Sequence, residues 1–391
     1  MKVETRAVHA GAARPSPGRP VPVAPHLEQA SAGLFADLDD VEAAYAGDQL
    51  LYRPLRSGNV GQLEAAVAEL EAPDAAEVCA VATASGMAAI SALALLRAGD
   101  GPLYTAPHVY GATRALFERE LPRLGLQAGV VDPTDLEAVS RALAGGGTLL
   151  VETISNPLLQ VADIPRLAEA CHARGAFLIV DNTFASPVLC RPLTLGADAV
   201  VHSATKYLSG HGDAVAGVLV TSREHEARLR ELMSAFRAIA APLDAWLTLR
   251  GIRTLALRVE RASDTAAGLA RWLAEQPQVA RTWYPGLADH PTHGVAERVL
   301  KGYGAMLSFE LAGGAGAASR FCRELGLVSV MASLADVATT ISYPVATSHR
   351  GMGPEAHAVL GITPGLLRMS VGIEDAGDLR ADLQGALTAA G

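Results

Sequence analysis

In the stretch "DAVVHSATKYLSGHGDAV", residues 198–215, Lys206 follows a hydrophobic run and stands among hydroxyls, histidines and glycines. A lysine ammonium buried without a partner is strongly disfavoured, so the position needs an exit to solvent or a chemical use. An amine at the carboxyl end of a buried strand can form an imine with an aldehyde cofactor, and pyridoxal phosphate is the common one in amino-acid metabolism. Such a group makes three demands. Its phosphate needs backbone N–H groups at a helix start plus hydroxyls, its ring nitrogen needs a carboxylate to stay protonated, and its ring face needs cover.

A candidate exists for each demand. In "ASGMAAI" a helix starts at Gly86 and Met87, whose N–H groups and dipole suit a phosphate. Ser203 and Thr205, just before the lysine, add hydroxyls. Asp181 closes the apolar run "FLIVD" and sets a carboxylate at the end of a buried strand. Tyr110 in "HVYGATRALF" is an aromatic able to stack on a ring. Taken singly, each has an ordinary use as a helix cap, a turn former or a core aromatic. Their joint order along the chain, with a lysine among them, points to cofactor chemistry.

Those side chains need strands to carry them. "GTLLVETI", "AFLIVDNT", "DAVVHSAT" and "AGVLVTS" are short continuous apolar runs, and the helical "DIPRLAEACHARG" separates the first two. The pattern predicts a mostly parallel sheet covered on both faces, with ligands at the carboxyl ends of its strands. That rule gathers Glu152, Thr153, Asn156, Asp181, Asn182, Ser203, Thr205 and Lys206 around one crevice. Upstream, "QLEAAVAELE" reads as a helix and "SGMAAISALALLRAGD" as another, capped by Ser85 and closed by Gly99. The long helical "DAWLTLRGIRTLALRVERASDTAAGLARWLAEQ" precedes two further strands, "AMLSFEL" and "LLRMSVGIE", which predicts a smaller α/β domain. The expected division is an extended N-terminal arm over 1–55, a large cofactor-binding domain over 56–247 and a C-terminal small domain over 248–391.

At 391 residues, 50% of them hydrophobic, the chain can bury a large core. Its net charge is -9 with both signs interspersed and no block of Lys or Arg, which argues against nucleic acid and membrane as partners and for small molecules. No apolar run approaches the roughly 20 residues that span a bilayer. "MKVETRAVHAGAARPSPG" lacks a signal-peptide core, so the expected location is the cytoplasm. Cys79, Cys171, Cys190 and Cys322 stand singly, without metal-ligand spacing, and read as buried free thiols. His290 and His293 in "DHPTHG" read as a solvated loop, and no metal is expected.

The ordered set "SGMAAI", "YGATRALF", "VETISNP", "IVDNTFASP" and "HSATKYLSGHGD", followed by "DAWLTLRGIRTLALR", "YPGL" and "LLRMSVGIED", resembles the pyridoxal-phosphate enzymes of cysteine and methionine metabolism. These are the cystathionine γ-synthase and γ-lyase, methionine γ-lyase and homoserine sulfhydrylase group. The likeness runs from "TRAVHAG" to about residue 385. It implies an α/β fold of the fold-type I, aspartate aminotransferase-like class, with a large domain holding a mostly parallel sheet and a smaller C-terminal α/β domain. It implies that Lys206 forms the internal aldimine with pyridoxal 5'-phosphate and shuttles protons, and that Asp181 pairs with the pyridine nitrogen. Gly86, Met87, Ser203 and Thr205 then hold the phosphate, Tyr110 stacks on the ring and Asn156 lies near the ring hydroxyl. Arg368 in "LLRMSVG" matches the arginine that grips the substrate α-carboxylate, with Ser333 and Asn156 beside it. Arg56 in "LRSGN" matches an arginine reaching the phosphate of the neighbouring subunit, in a homotetramer built from two dimers with shared active sites.

Two segments depart from the family pattern. In "PLRSGNVG", Pro54 stands where a phosphate-contacting tyrosine is usual and Val60 where a proline is usual, with Tyr52 two residues upstream. In "SLADVAT", Ala338 stands where the cystathionine enzymes carry a glutamate that meets the distal amino group of a long substrate, and Asp336 replaces a glycine. Methionine γ-lyases have a small apolar residue at the position of Ala338, although they usually carry a cysteine at that of Ala112. The resulting expectation is elimination at Cγ of a small γ-substituted L-amino acid, methionine γ-lyase-like, through a vinylglycine-type intermediate. Alternatives are γ-replacement on an O-acyl-homoserine, elimination from an unusual substrate such as a halogenated amino acid, and a catalytically silent binding protein.

Overall fold

The computed structural model describes residues 1–11, 22–46, 58–73 and 75–391. Tyr52, Pro54 and Arg56 lie outside the described residues. The chain forms two compact units, one of Met1–Leu96 with Asp198–Ala256, the other of Arg97–Ala197 with Leu257–Gly391. In chain order the strands are β1 (Val78–Thr83), β2 (Leu103–Thr105), β3 (Ala128–Val130), β4 (Gly147–Glu152), β5 (Ala176–Asp181), β6 (Ala199–Ser203), β7 (Gly217–Ser222), β8 (Val279–Trp283), β9 (Met306–Leu311), β10 (Ser329–Val330), β11 (Thr340–Ser342) and β12 (Leu366–Ser370).

In the first unit β7 pairs antiparallel with β1 on one side and β6 on the other. Helices Gly58–Glu71 and Gly86–Leu96 pack against these strands, which are buried almost throughout. Burial of both faces is therefore what the continuous apolar run "AGVLVTS" encodes, and β7 is antiparallel to both neighbours here. Helix Gly58–Glu71 turns Leu63, Val67 and Leu70 inward at helical spacing, all fully buried, and each such side chain contributes about 1.5–3 kcal/mol. The same helix sends two carboxyl groups inward. Glu64 Oε1 accepts the Ala82 N–H at 2.9 Å and its carboxylate pairs with Arg230 at 3.0 Å, while Glu71 meets His202 at 2.6 Å.

In the second unit β5, β4, β2 and β3 lie side by side, all parallel. Parallel register brings strand ends level, and it sets Glu152 opposite Asp181. Helix Ile164–His172 packs on β5 through Ile164, Leu167, Ala168 and Cys171. A separate five-stranded sheet has the order β10-β11-β12-β9-β8, with β12 antiparallel to β11 and β9. Phe309, Phe321, Leu367, Met369, Leu379 and Leu383 form its core with helices Gly314–Glu324 and Ala376–Ala390. The long helical stretch resolves into two helices, Pro242–Ile252 and Leu255–Ala274.

The histidine pair of "DHPTHG" differs from the solvated loop expected of it. His290 is 5% exposed, and its Nε2 lies 3.2 Å from the Leu158 carbonyl. Burial pushes its pKa down, so it is a neutral core group. His293 opens helix His293–Val299 and stacks on Tyr303. None of the four cysteines is in a disulfide among the described residues; Cys322 is half-buried, the others buried. Among the described residues no group of His, Cys, Asp or Glu is placed to hold a metal, and no helix is long and apolar enough to cross a membrane.

Gly217 is a tight joint of the first unit. A Cβ there would lie 2.2 Å from the Ser85 carbonyl oxygen and 2.6 Å from Thr83 Oγ1. Replacement of Gly217 by Ala is expected to cost about 1–3 kcal/mol through forced backbone displacement. The check is a lower urea midpoint with an unchanged slope.

Candidate active site

In the first unit β6 ends at Ser203 and the chain turns at once. The Lys206 N–H donates to the Ser203 carbonyl at 3.0 Å, and Gly210 N–H donates to the Lys206 carbonyl at 2.7 Å. Lys206 is half-buried at this turn, with partial access to solvent. Thr205 braces the turn against the start of β7: its Oγ1 donates to the Ala216 carbonyl at 3.2 Å and accepts the Ala216 N–H at 3.1 Å. That hydroxyl is committed to the backbone, a use that sequence order does not reveal. Gly86 sits against the strand end, where a Cβ would come within 2.8 Å of Ser203 Cβ. Only glycine admits so close an approach of helix start to strand. Ser85 Oγ caps the helix by accepting the Ala88 N–H at 3.1 Å, and the N–H groups of Gly86 and Met87 belong to the first turn, which has no intrahelical acceptors.

The second unit brings together Tyr110, Asn156, Asp181 and Arg368, each held by the backbone around it. Asp181 closes β5, and its Oδ1 accepts from the N–H and hydroxyl of Thr183 at 3.0 and 2.5 Å, donors that suit a charged oxygen. Asn156 follows β4 in a tight turn, joined to Pro157 by a cis peptide bond. There it accepts from Arg368 Nη1 at 2.7 Å. Arg368 lies on β12, whose two faces are covered, and it is 3% exposed with its guanidinium 5.9 Å from the Phe184 ring. Tyr110 directly precedes helix Gly111–Ala115 and keeps its ring 45% exposed. Ser333 is half-buried in the irregular segment before β11. Thr153 and Asn182 prove to be bracing groups: Thr153 Oγ1 donates to Asn182 Oδ1 at 2.8 Å, and Asn182 Nδ2 donates to the Cys190 carbonyl at 2.9 Å.

Glu152 has no assigned role in the sequence, yet its carboxyl accepts the Tyr110 N–H at 2.7 Å. Burial, and then the neighbouring charge of Asp181, push its pKa well above the usual carboxylate range. The signal that finds it is strand register, which sequence alone does not supply. His349 is a second group outside the sequence reading. It is 1% exposed, with Nδ1 2.8 Å from Ser348 Oγ. Burial, then the positive field of Arg368, His357, His108 and Arg114, push its pKa down to about 4.

A histidine lowered in the folded state stabilises the fold above its unfolded pKa and loses that contribution as pH falls toward the folded value. His349 therefore removes roughly 3 kcal/mol between about pH 6.5 and pH 4. His349→Asn is expected to flatten the acid limb of a stability-against-pH curve over that window; an unchanged limb would assign the loss elsewhere.

By type and placement within each unit, these groups fit pyridoxal phosphate. The first unit offers an amine, first-turn N–H groups and the flush contact of Gly86 on Ser203; the second offers a strand-end carboxylate, an uncovered aromatic ring and a buried guanidinium. Comparison with known proteins agrees. The model of the Cys/Met metabolism PLP-dependent enzyme family matches residues 4–388. The chain is 40% identical to an O-succinylhomoserine sulfhydrylase of Pseudomonas aeruginosa, over 99% of this chain and 95% of the relative. It is also 40% identical to an L-methionine gamma-lyase of Pseudomonas putida, over 98% and 97%. Among solved structures, cystathionine gamma synthase from Xanthomonas oryzae pv. oryzae in complex with aminoacrylate and cysteine superposes with a TM-score of 0.92 at 37% identity, over 100% of this chain and 98% of that one. The chain belongs to the pyridoxal-phosphate-dependent enzymes of cysteine and methionine metabolism, lyases and transferases of the fold-type I class.

Proposed function

We propose that the enzyme eliminates the γ-substituent of a small L-amino acid, as a methionine γ-lyase does, to give a 2-oxo acid and ammonia. Ala338 carries this reading. Its methyl group is exposed where the cystathionine enzymes carry a glutamate, and the adjacent acid, Asp336, turns its Oδ1 back onto the Ala338 N–H at 3.3 Å. A distal ammonium finds no carboxylate at position 338, so a short substrate suits the segment better than cystathionine. The methionine gamma-lyase of Pseudomonas putida, 40% identical, supports the same choice.

When bound, pyridoxal phosphate supplies an electron sink for charge developed at the substrate carbons. The residues divide the remaining tasks. Lys206 Nζ anchors the cofactor's aldehyde carbon and moves the α-proton. Asp181 holds the proton on the ring nitrogen, while Gly86, Met87 and Ser203 hold the phosphate, with Thr205 bracing the turn. Arg368 and Asn156 orient the α-carboxylate, with Ser333 beside them. Tyr110 covers the ring and gives its phenolic proton to a leaving thiolate. The family resemblance supports a cytoplasmic homotetramer with shared active sites.

The second reading is γ-replacement, favoured by the equally similar O-succinylhomoserine sulfhydrylase of Pseudomonas aeruginosa. Lys206→Ala is expected to abolish turnover and to shift the cofactor's absorbance from that of the imine to that of the free aldehyde; a variant that still turns over substrate would refute the assigned role of the amine. Holoenzyme given methionine is expected to release 2-oxobutanoate. Should it instead act only on O-acyl-homoserine, and convert that to a thioether when sulfide or a thiol is added, replacement is the activity.

A further inference from the structure

The carboxyl of Glu152 is the point at which the site residues of the second unit meet. Its Oε1 accepts the Tyr110 N–H at 2.7 Å, and the N–H of Asn156 is directed at the same carboxyl. Asp181 is its partner across the β4–β5 pair. The Arg368 guanidinium acts on it electrostatically while donating to Asn156 Oδ1 at 2.7 Å. Glu152 is 9% exposed, and its Oε2 has no hydrogen-bond partner among the described residues.

We propose that Glu152 is a positioning residue, an uncharged carboxyl that fixes Tyr110 and Arg368 beside Asp181 for substrate binding. The inference rests on the roles proposed above for Tyr110 and Arg368. An ionised Glu152 would set a second anion next to Asp181 on the adjoining strand end, an arrangement that like-charge repulsion and burial both disfavour. It would also give Arg368 a carboxylate within the protein, in competition with the α-carboxylate of the substrate. Uncharged, Glu152 keeps a bond from Tyr110, because the carbonyl oxygen of a neutral carboxyl still accepts an N–H, more weakly than a carboxylate does. The guanidinium then keeps its affinity for the incoming carboxylate. A residue that only braced the fold would lower stability when removed and leave ligand affinity of the folded holoenzyme unaltered.

The test uses holoenzyme and glycine, which has an α-carboxylate and no γ-substituent to lose, titrated through the change in the cofactor's visible absorbance. Glu152→Met, similar in size without an acceptor, is expected to weaken glycine binding about tenfold, and Glu152→Gln, uncharged and of the same shape, to restore it to within about twofold of the wild type. Should the Met variant not fold, Glu152→Asp, which draws the carboxyl away from the Tyr110 N–H, replaces it with the same expectation. Arg368→Ala is titrated alongside. If that variant binds glycine normally, the functional reading fails; if it binds weakly while the Met or Asp variant binds normally, the proposal for Glu152 is overturned. Infrared difference spectra of wild type against Glu152→Gln read the protonation state without turnover. A neutral-carboxyl carbonyl band at neutral pH is expected, and its absence overturns the uncharged form.

Discussion

Two carboxyl groups at the ends of adjacent parallel strands do not both ionise freely when one of them is buried. Parallel register places Glu152 opposite Asp181, and their environments separate them. Asp181 receives two hydrogen bonds from Thr183 and stays half-exposed, whereas Glu152 is enclosed and receives a backbone N–H. The asymmetry raises the pKa of Glu152 and leaves the strand-end acid of Asp181 the more exposed of the two. His349, with its pKa pushed down to about 4, adds no positive charge beside Arg368 at neutral pH. Under the proposed reading, an uncharged Glu152 leaves the charge of Arg368 to the substrate carboxylate instead of to a carboxylate within the protein.

Backbone proximity rather than charge governs the first unit. Gly86 lies flush with Ser203, and Gly217 lies against Ser85 and Thr83, so the helix start is wedged between the end of β6 and the start of β7. A Cβ at Gly251 would fall 2.1 Å from the Ser209 carbonyl oxygen, so a passing helix presses on the segment that follows Lys206. Together with the Thr205 bonds to Ala216, these contacts leave the lysine turn little freedom. Under the proposed role of Lys206, a backbone turn held this way places the residue before any ligand arrives, which reduces the entropy lost in reaching a productive geometry.

Much of this was legible in the residues. Lys206 stands out because an ammonium is costly after an apolar run, and Asp181, Gly86 and Tyr110 were legible as candidates only through their joint order with it. Length and burial of "GTLLVETI" and "AFLIVDNT" predict β4 and β5 directly. The direction of β7 was not legible, because a run buried on both faces looks the same whichever way its neighbours point. Glu152 was legible as a crevice residue but not as a hub, since its partners are separated from it by 42 residues at Tyr110 and brought close only by strand pairing. His290 misled for the converse reason: flanking Asp, Pro and Gly residues mark a loop, while its burial depends on the distant Leu158 carbonyl. Thr205 shows the same limit, for order along the chain gives a hydroxyl its neighbourhood and not its hydrogen-bond partner.

The segment around Ala338, on which the proposed reading rests, is also unusually constrained. Ala335 adopts a φ of 64°, a left-handed conformation that costs a non-glycine residue about 1–2 kcal/mol, and its N–H is held by Ser370 Oγ at 2.7 Å. Thr339 binds both oxygens of Glu374, and the Thr339 hydroxyl accepts the Gly372 N–H at 2.9 Å. Strain of this kind persists only where surrounding bonds over-determine the backbone. A loop pinned at both ends, with the Ala338 methyl at its surface and the Asp336 carboxylate turned inward on its own backbone, does not readily bend to meet a distal ammonium. Under the proposed reading, selection therefore falls on the α-carboxylate held by Arg368 and on the size of the γ-substituent. Discrimination by size in an apolar setting is modest, on the order of 1–3 kcal/mol per methylene. On that reading, the site accepts several small γ-substituents and leaves the quality of the leaving group to set their relative rates.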